Sequence, residues 1–123
     1  MAVVADRVKQ SVSNQPDAST AFNLSDTTLA GFQTFVSALS IGSGSTAKTY
    51  YTAVASDGTF EVGEGTVTEG TPDTITRDEV LDSSTGSAID FSSKSGITVF
   101  LTYPASKAVF LDETDDLTVD TNA

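Results

Sequence analysis

The chain of 123 residues has no cysteine, no histidine and no tryptophan, and it has few basic residues. Without cysteine there are no disulfides, and the redox compartment leaves no trace in the composition. Without histidine there can be no Ser-His or Cys-His nucleophile pair and no imidazole metal site. Six basic residues stand against 17 acidic ones, for a net charge of −11. Such a surface repels phosphate backbones and anionic membranes, so neither nucleic acid nor membrane is an expected partner. No apolar run approaches the roughly 20 residues of a membrane-spanning helix. The N-terminus lacks the charged-then-apolar order of a secretory signal, so a soluble, unexported chain is expected.

Serine (16) and threonine (19) are abundant instead. Threonine suits a pleated surface and serine competes for backbone hydrogen bonds in turns, so strands and turns are favoured over helices. Seven phenylalanines and three tyrosines supply material for a core. A chain of this length is most simply one domain, able to bury roughly two-thirds of its unfolded surface.

The clearest segment is 49–68, where two runs rich in Tyr, Val, Thr and Phe flank Asp57-Gly58, a dipeptide suited to a tight hairpin turn. Tyr51, Ala53 and Ala55 alternate with Thr52 and Val54. Beyond the turn, Phe60 and Val62 alternate with Thr59 and Glu61, and a period of two separates a buried face from an open one. Further strands are expected over 7–12, over 20–24 with Phe22 and Leu24 on one face, and over 74–77 leading to Val80-Leu81. Ala88 to Ser92 is strand-like, with Ile89 and Phe91 on one side. Residues 97–103 are apolar on both faces and read as a central strand, ended by Pro104. A last strand is expected at 109–111.

Leu29, Phe32, Phe35, Val36 and Leu39 fit one helical face behind the capping residues 25–28, predicting a two-turn helix; a strand and turn over Gly31 competes with it. The expected architecture is all-β, a small antiparallel β-sandwich or barrel with at most one short helix. Residues 1–5 form an N-terminal arm, 6–111 the β domain, and 112–123, acidic at five of the nine positions 112–120, a solvated C-terminal tail.

Candidate chemistry is sparse. Ser45 and Lys48 share the Ser-x-x-Lys spacing of penicillin-binding enzymes, but in a Gly/Ser loop and without the partner motifs. Gly63-Glu64-Gly65 begins like a dinucleotide fingerprint but lies in a strand pair, where a bulge or close backbone approach explains it better. Glu61, Glu64, Asp78 and Glu79 could by type alone form a glycosidase pair, with surface solvation the simpler account. Asp112, Glu113, Asp115 and Asp116 could bind Ca²⁺ weakly, but they lack the order of a dedicated loop. Asn23-Leu24-Ser25 has the glycosylation spacing, which threonine and serine abundance produces by accident. Arg7 and Arg77 each adjoin an aspartate and either pair locally or enter a buried or interfacial contact with a carboxylate. No catalytic residue, cofactor or metal is expected.

Several stretches, in order, resemble a small β-rich structural domain that recurs in virion proteins of tailed bacteriophages and in prophages. They are residues 6–9, 29–35, Tyr50-Tyr51-Thr52 with 61–66, 76–84, 90–92, and 99–105 with 107–109. The likeness extends over about residues 6–111, and 13–19 departs from it. The resemblance implies a non-catalytic virion protein, a head decoration or cement protein or else a tail or tail-fibre attachment protein. Its partners would be the major capsid protein or tail and fibre proteins, and it would form a homo-oligomeric set on the particle. It would reside in the virion, assembled in the host bacterial cytoplasm. Met1, Val3, Val4, Arg7 and Arg77 are the expected partner-binding residues. A host-surface binding module, with Tyr50, Tyr51 or Tyr103 stacking on sugars, is a further possibility.

Overall fold

The computed structural model describes residues 2–107, 109–111 and 117–119. Its strands are β1 (Lys9–Ser11), β2 (Phe22–Asn23), β3 (Thr46–Val54), β4 (Phe60–Thr68), β5 (Thr74–Ser83), β6 (Thr98–Phe100), β7 (Val109–Leu111) and β8 (Leu117–Val119). The first six form one antiparallel sheet in the order β1-β6-β3-β4-β5-β2. The two edge strands then meet. Val12 bridges Leu24, Ser13 N–H donates to the Asn23 carbonyl (2.8 Å) and Ser25 N–H to the Ser11 carbonyl (2.9 Å). The sheet is therefore curled on itself as a small barrel, which satisfies the backbone groups that an open edge would expose.

The hairpin β3-β4 forms as expected, but its register differs by one residue from that of a two-residue turn. Gly58 alone takes a left-handed backbone (φ 90°), Gly58 N–H donates to the Ala55 carbonyl, and Ala55 pairs with Thr59. This is a three-residue loop, a turn followed by a left-handed glycine. A one-residue shift exchanges the faces of a strand. With Tyr51 opposite Gly63 and Ala53 opposite Glu61, the residues facing inward on β4 are Glu61, Gly63, Gly65 and Val67. Phe60 and Val62, the apolar residues of that alternation, lie half-buried on the other face.

β5 carries two bulges against β4: Leu81 and Asp78 are the extra residues between successive pairs. Bulges bend and twist a strand, and here they let a ten-residue strand follow the curl. β6 lies between β1 and β3, so the expected strand is interior to the sheet, but it spans only Thr98–Phe100 and ends well before Pro104. Residues 88–92 are not a strand; they cross the barrel unpaired, yet Ile89 and Phe91 are both buried. Phe91 is held by its N–H to the Pro16 carbonyl (2.8 Å).

The helix is shorter than its periodicity implies. Gly31 has φ 81° in a turn closed by Phe32 N–H to the Leu29 carbonyl, and the helix α1 spans only Phe35–Ala38. Its cap is Thr34, whose hydroxyl accepts from Ser37 N–H at 3.1 Å, not the capping residues 25–28. Buried Gln10 secures it by accepting from Phe35 N–H (2.8 Å) and donating to the Ser25 carbonyl (3.1 Å). The turn and the helix thus share the segment, because glycine ends one and threonine begins the other.

The core contains Val8, Phe22, Leu24, Phe35, Tyr51, Ala53, Ala55, Val67, Ile75, Ile89, Phe91, Ile97 and Val99. Phe22 meets Tyr51 and Phe91 edge to face, at ring separations of 5.6 and 5.8 Å. β7 and β8 form a separate antiparallel ladder, so 117–119, inside the expected tail, are paired with residues 109–111. Asp112, Glu113, Asp115 and Asp116, the candidate Ca²⁺ ligands, lie outside the described residues.

Candidate functional site

Two glycines decide what the barrel interior can hold. Gly63 and Gly65 leave a channel along β4, and the Tyr51 ring fills it. Tyr51 is fully buried and reaches Glu61, to whose Oε2 its hydroxyl donates at 2.7 Å. Arg77, from the strand on the far side of β4, meets the same carboxylate with two nitrogens: Nε to Oε2 at 2.9 Å and Nη2 to Oε1 at 2.6 Å. Ile89 N–H donates to Oε1 at 2.8 Å. The carboxylate thus accepts four hydrogen bonds, and its side chain is 0% exposed against 3% for that of Arg77.

The guanidinium is equally occupied. It donates to the carbonyls of Ile89 (2.6 Å), Asp17 and Thr20, and it packs over the rings of Phe22 and Phe91. This clamp joins β3, β4, β5, the 14–20 turn and the 88–91 crossing. A buried ion pair is tolerated only when its remaining donors and acceptors are met, and here they are. Glu61 has no lone pair left for a substrate. Gly63-Glu64-Gly65 is sheet geometry, with a register shift on each side of Glu64.

Burial would raise the Glu61 pKa. The bonds from Arg77, Ile89 N–H and Tyr51 outweigh that and hold the carboxyl below its usual 4.5. Its contribution to stability is then complete above pH 4.5 and is lost as pH falls through the lower, folded-state value. Tyr51 is shifted the opposite way, upward, by burial first and then by the Glu61 charge. Its contribution is complete below the ordinary phenol value of 10.0 and is lost as pH rises above it. Denaturant titrations across pH are expected to show both losses, and phenolate absorbance of Tyr51 to emerge only with unfolding. A phenolate signal from all three tyrosines in the folded protein would contradict the clamp.

The other candidates are scattered. Ser45 is exposed in the loop before β3, while Lys48 pairs with Asp78 at 3.0 Å, a contact that also engages Thr66 and Thr76. Glu64 and Glu79 are cross-strand neighbours on the outer face. Arg77 belongs to the clamp, so its charge is used inside the chain and not toward a partner. Arg7 does not pair with Asp6; its guanidinium carbon lies 4.1 Å from the centre of the Phe32 ring. Met1 lies outside the described residues. Val3 and Val4 are 46% and 50% exposed, yet their arm is anchored. Val3 N–H donates to the Lys48 carbonyl (2.8 Å), its carbonyl accepts from Thr49 Oγ1 (2.6 Å), and Ala2 bridges Lys48 in parallel.

The arm thus lies along the start of β3, whose later residues 52–54 pair with β6. On the next residue, Tyr50 stacks on Tyr103 with ring centres 5.9 Å apart, and Tyr103 is 51% exposed. Val3, Val4 and Tyr103, the large exposed apolar side chains among the described residues, therefore flank residues 48–50 of one strand. Sequence reasoning found the arm but missed Glu61 as the partner of Arg77. A signal for it exists: an acidic residue in phase with two glycines on a strand.

Fold and site together define a small antiparallel β domain with a buried ionic clamp and an apolar arm docked on its rim. Comparison with known proteins finds no matching family model, no matching curated protein and no matching solved structure.

Proposed function

We propose that this chain is a non-catalytic structural protein of a tailed-bacteriophage particle, docking on the particle surface as a capsid decoration or cement protein. The observation that carries this reading is the exposed arm. Val3 and Val4 remain open although the backbone of Val3 is fixed to β3. A pre-ordered apolar edge loses little entropy when a neighbour covers it, and each Å² of apolar contact contributes roughly 25 cal/mol. Repetition over a symmetric particle multiplies that gain. The resemblance and the clamp fall on the same parts of the chain. The shared stretches 50–52, 61–66 and 76–84 contain Tyr51, Glu61, Gly63, Gly65 and Arg77, the residues of the clamp and its channel. Full burial of Tyr51 removes one of the three tyrosines from any sugar platform and leaves only Tyr103, stacked on Tyr50, so a host-surface module loses part of its basis.

Imaging of intact particles carrying a labelled chain tests the proposal. Copies spread over the whole head are expected. A small symmetric set at one vertex would make it a tail or fibre attachment protein, and absence from the particle would overturn the reading. Replacing Val3 and Val4 by aspartate should leave the barrel folded, because the arm's hydrogen bonds are made by backbone and Thr49. Incorporation should fall by about tenfold or more, which corresponds to 1.4 kcal/mol of lost contact.

A further inference from the structure

In a chain of net charge −11, three of the six cations are used in ion pairs within the chain. Arg77 pairs with Glu61, Lys48 with Asp78 and Lys94 with Asp57. Arg7 and Lys9 differ. Neither has a carboxylate within ion-pair distance among the described residues, and both lie over one ring, 4.1 and 5.3 Å from the centre of Phe32. They border an open pocket of about 320 Å³, lined by Arg7, Val8, Lys9, Phe32, Phe100 and Leu101.

Arg7 is set in place before any ligand arrives. Its φ of 57° is a left-handed conformation that a non-glycine residue adopts only where its surroundings hold it. The turn is held by Gln33 N–H to the Arg7 carbonyl (2.8 Å) and by Arg7 Nε to the Gly31 carbonyl (3.1 Å). Gly31 beside it has φ 81°, a left-handed backbone that favours glycine, and a Cβ there would come 3.2 Å from Nη2. The two terminal guanidinium nitrogens have no acceptor among the described residues. A fixed planar donor set of this kind suits a carboxylate.

We propose that this pocket binds an acidic peptide segment of another protein. One carboxylate sits against Arg7 and Lys9, and an adjoining apolar side chain rests on Phe32, Phe100 and Leu101. Two cations are too few for a polyanion on so acidic a molecule. A single carboxylate at contact feels them strongly, while acids beyond about 8 Å are screened. The apolar floor favours a peptide over a bare inorganic anion. None of the six lining residues belongs to the arm, so the pocket binds whether or not the arm docks.

The test is an amide-resolved NMR titration of the full chain with acetyl-Phe-Leu-Asp-Glu-amide at low salt, and with inorganic phosphate alone. Saturable shifts are expected at residues 7–9, 31–33 and 100–101. The Asn/Gln version of the peptide, and the chain carrying Arg7→Gln with Lys9→Gln, should each bind at least about tenfold more weakly. Lys9→Gln alone leaves the Arg7 turn untouched and should still weaken binding several-fold, which keeps the test valid if the double variant unfolds. No shifts at millimolar peptide, shifts centred elsewhere, or unchanged affinity in these variants would overturn the proposal. Phosphate binding as tightly as the peptide would overturn it too.

Discussion

Glu61→Ala is expected to abolish cooperative folding or to lower the denaturation midpoint severely. Removing one partner of a buried ion pair costs about 3–5 kcal/mol, because the other charge stays buried and uncompensated. Tyr51 Oη and Ile89 N–H lose their acceptor as well, at about 1–3 kcal/mol for each buried group left unmet. These costs overlap, but a domain of this size has only about 5–15 kcal/mol in total. Circular dichroism and urea titration measure the outcome. A loss below about 1 kcal/mol, no more than a surface pair is worth, would mean that the clamp does not form. The triple replacement Tyr51→Phe, Glu61→Leu, Arg77→Met is expected to recover part of the stability, since an apolar set of similar volume avoids desolvating charges, while Ile89 N–H and the carbonyls that Arg77 served stay unmet. That contrast separates loss of a charge partner from simple loss of volume.

Gly63→Ala should be nearly as damaging, for a steric reason. Its Cβ would lie 2.5 Å from the Glu79 carbonyl oxygen and 2.7 Å from the Tyr51 hydroxyl oxygen. The tyrosine cannot move away without releasing Glu61, and the carbonyl belongs to the neighbouring strand. Overpacking of this kind typically costs about 1–3 kcal/mol, and the coupling to the clamp places Gly63 at the top of that range. Gly65 is restricted in the same way by the Thr76 carbonyl and the Ile75 side chain. Gly42→Ala is the control. It is exposed, and the nearest atom to its added Cβ, Ser45 Oγ, is 3.8 Å away, so a change within about 0.5 kcal/mol is expected. Equal effects at Gly42 and Gly63 would show that the channel along β4 is not tightly filled.

Much of the barrel was legible in the chain because turns and strands are encoded locally. Asp57-Gly58 marks a hairpin, and Phe22 and Leu24 share a face. The segment 29–39 misled because two local signals overlap: the helical spacing is real, but Gly31 gives its first half to a turn. Ile89 and Phe91 were placed correctly on one side, while their pairing was not, since an extended segment reads the same with or without a neighbour. The acidic composition of 112–120 masked Leu117–Val119 as a strand because a paired strand can be short.

The candidate site was less legible than the fold. The arm follows from Val3 and Val4 standing apart from any local partner, but its anchor at Lys48 and Thr49 is more than forty residues away. Of the two readings of Arg77, local pairing and a buried contact with a carboxylate, the buried contact is the one that forms, with Glu61, while Asp78 serves Lys48 on the outer face.

By itself the sequence determined an all-β chain, the positions of its main turns and the aromatic residues of its core. These depend on φ preferences and side-chain shape, which each residue carries with it. Only the tertiary structure decided which face of β4 turns inward, and with it that Glu61 is buried while Phe60 and Val62 are not. It also decided that β1 and β2 meet to curl the sheet closed, and that Arg7 stands over Phe32. The reason is physical. A one-residue difference in hairpin register changes little locally yet exchanges every side chain between the two faces. The balance is then settled by contacts with Arg77 and Ile89, brought together only when the sheet closes.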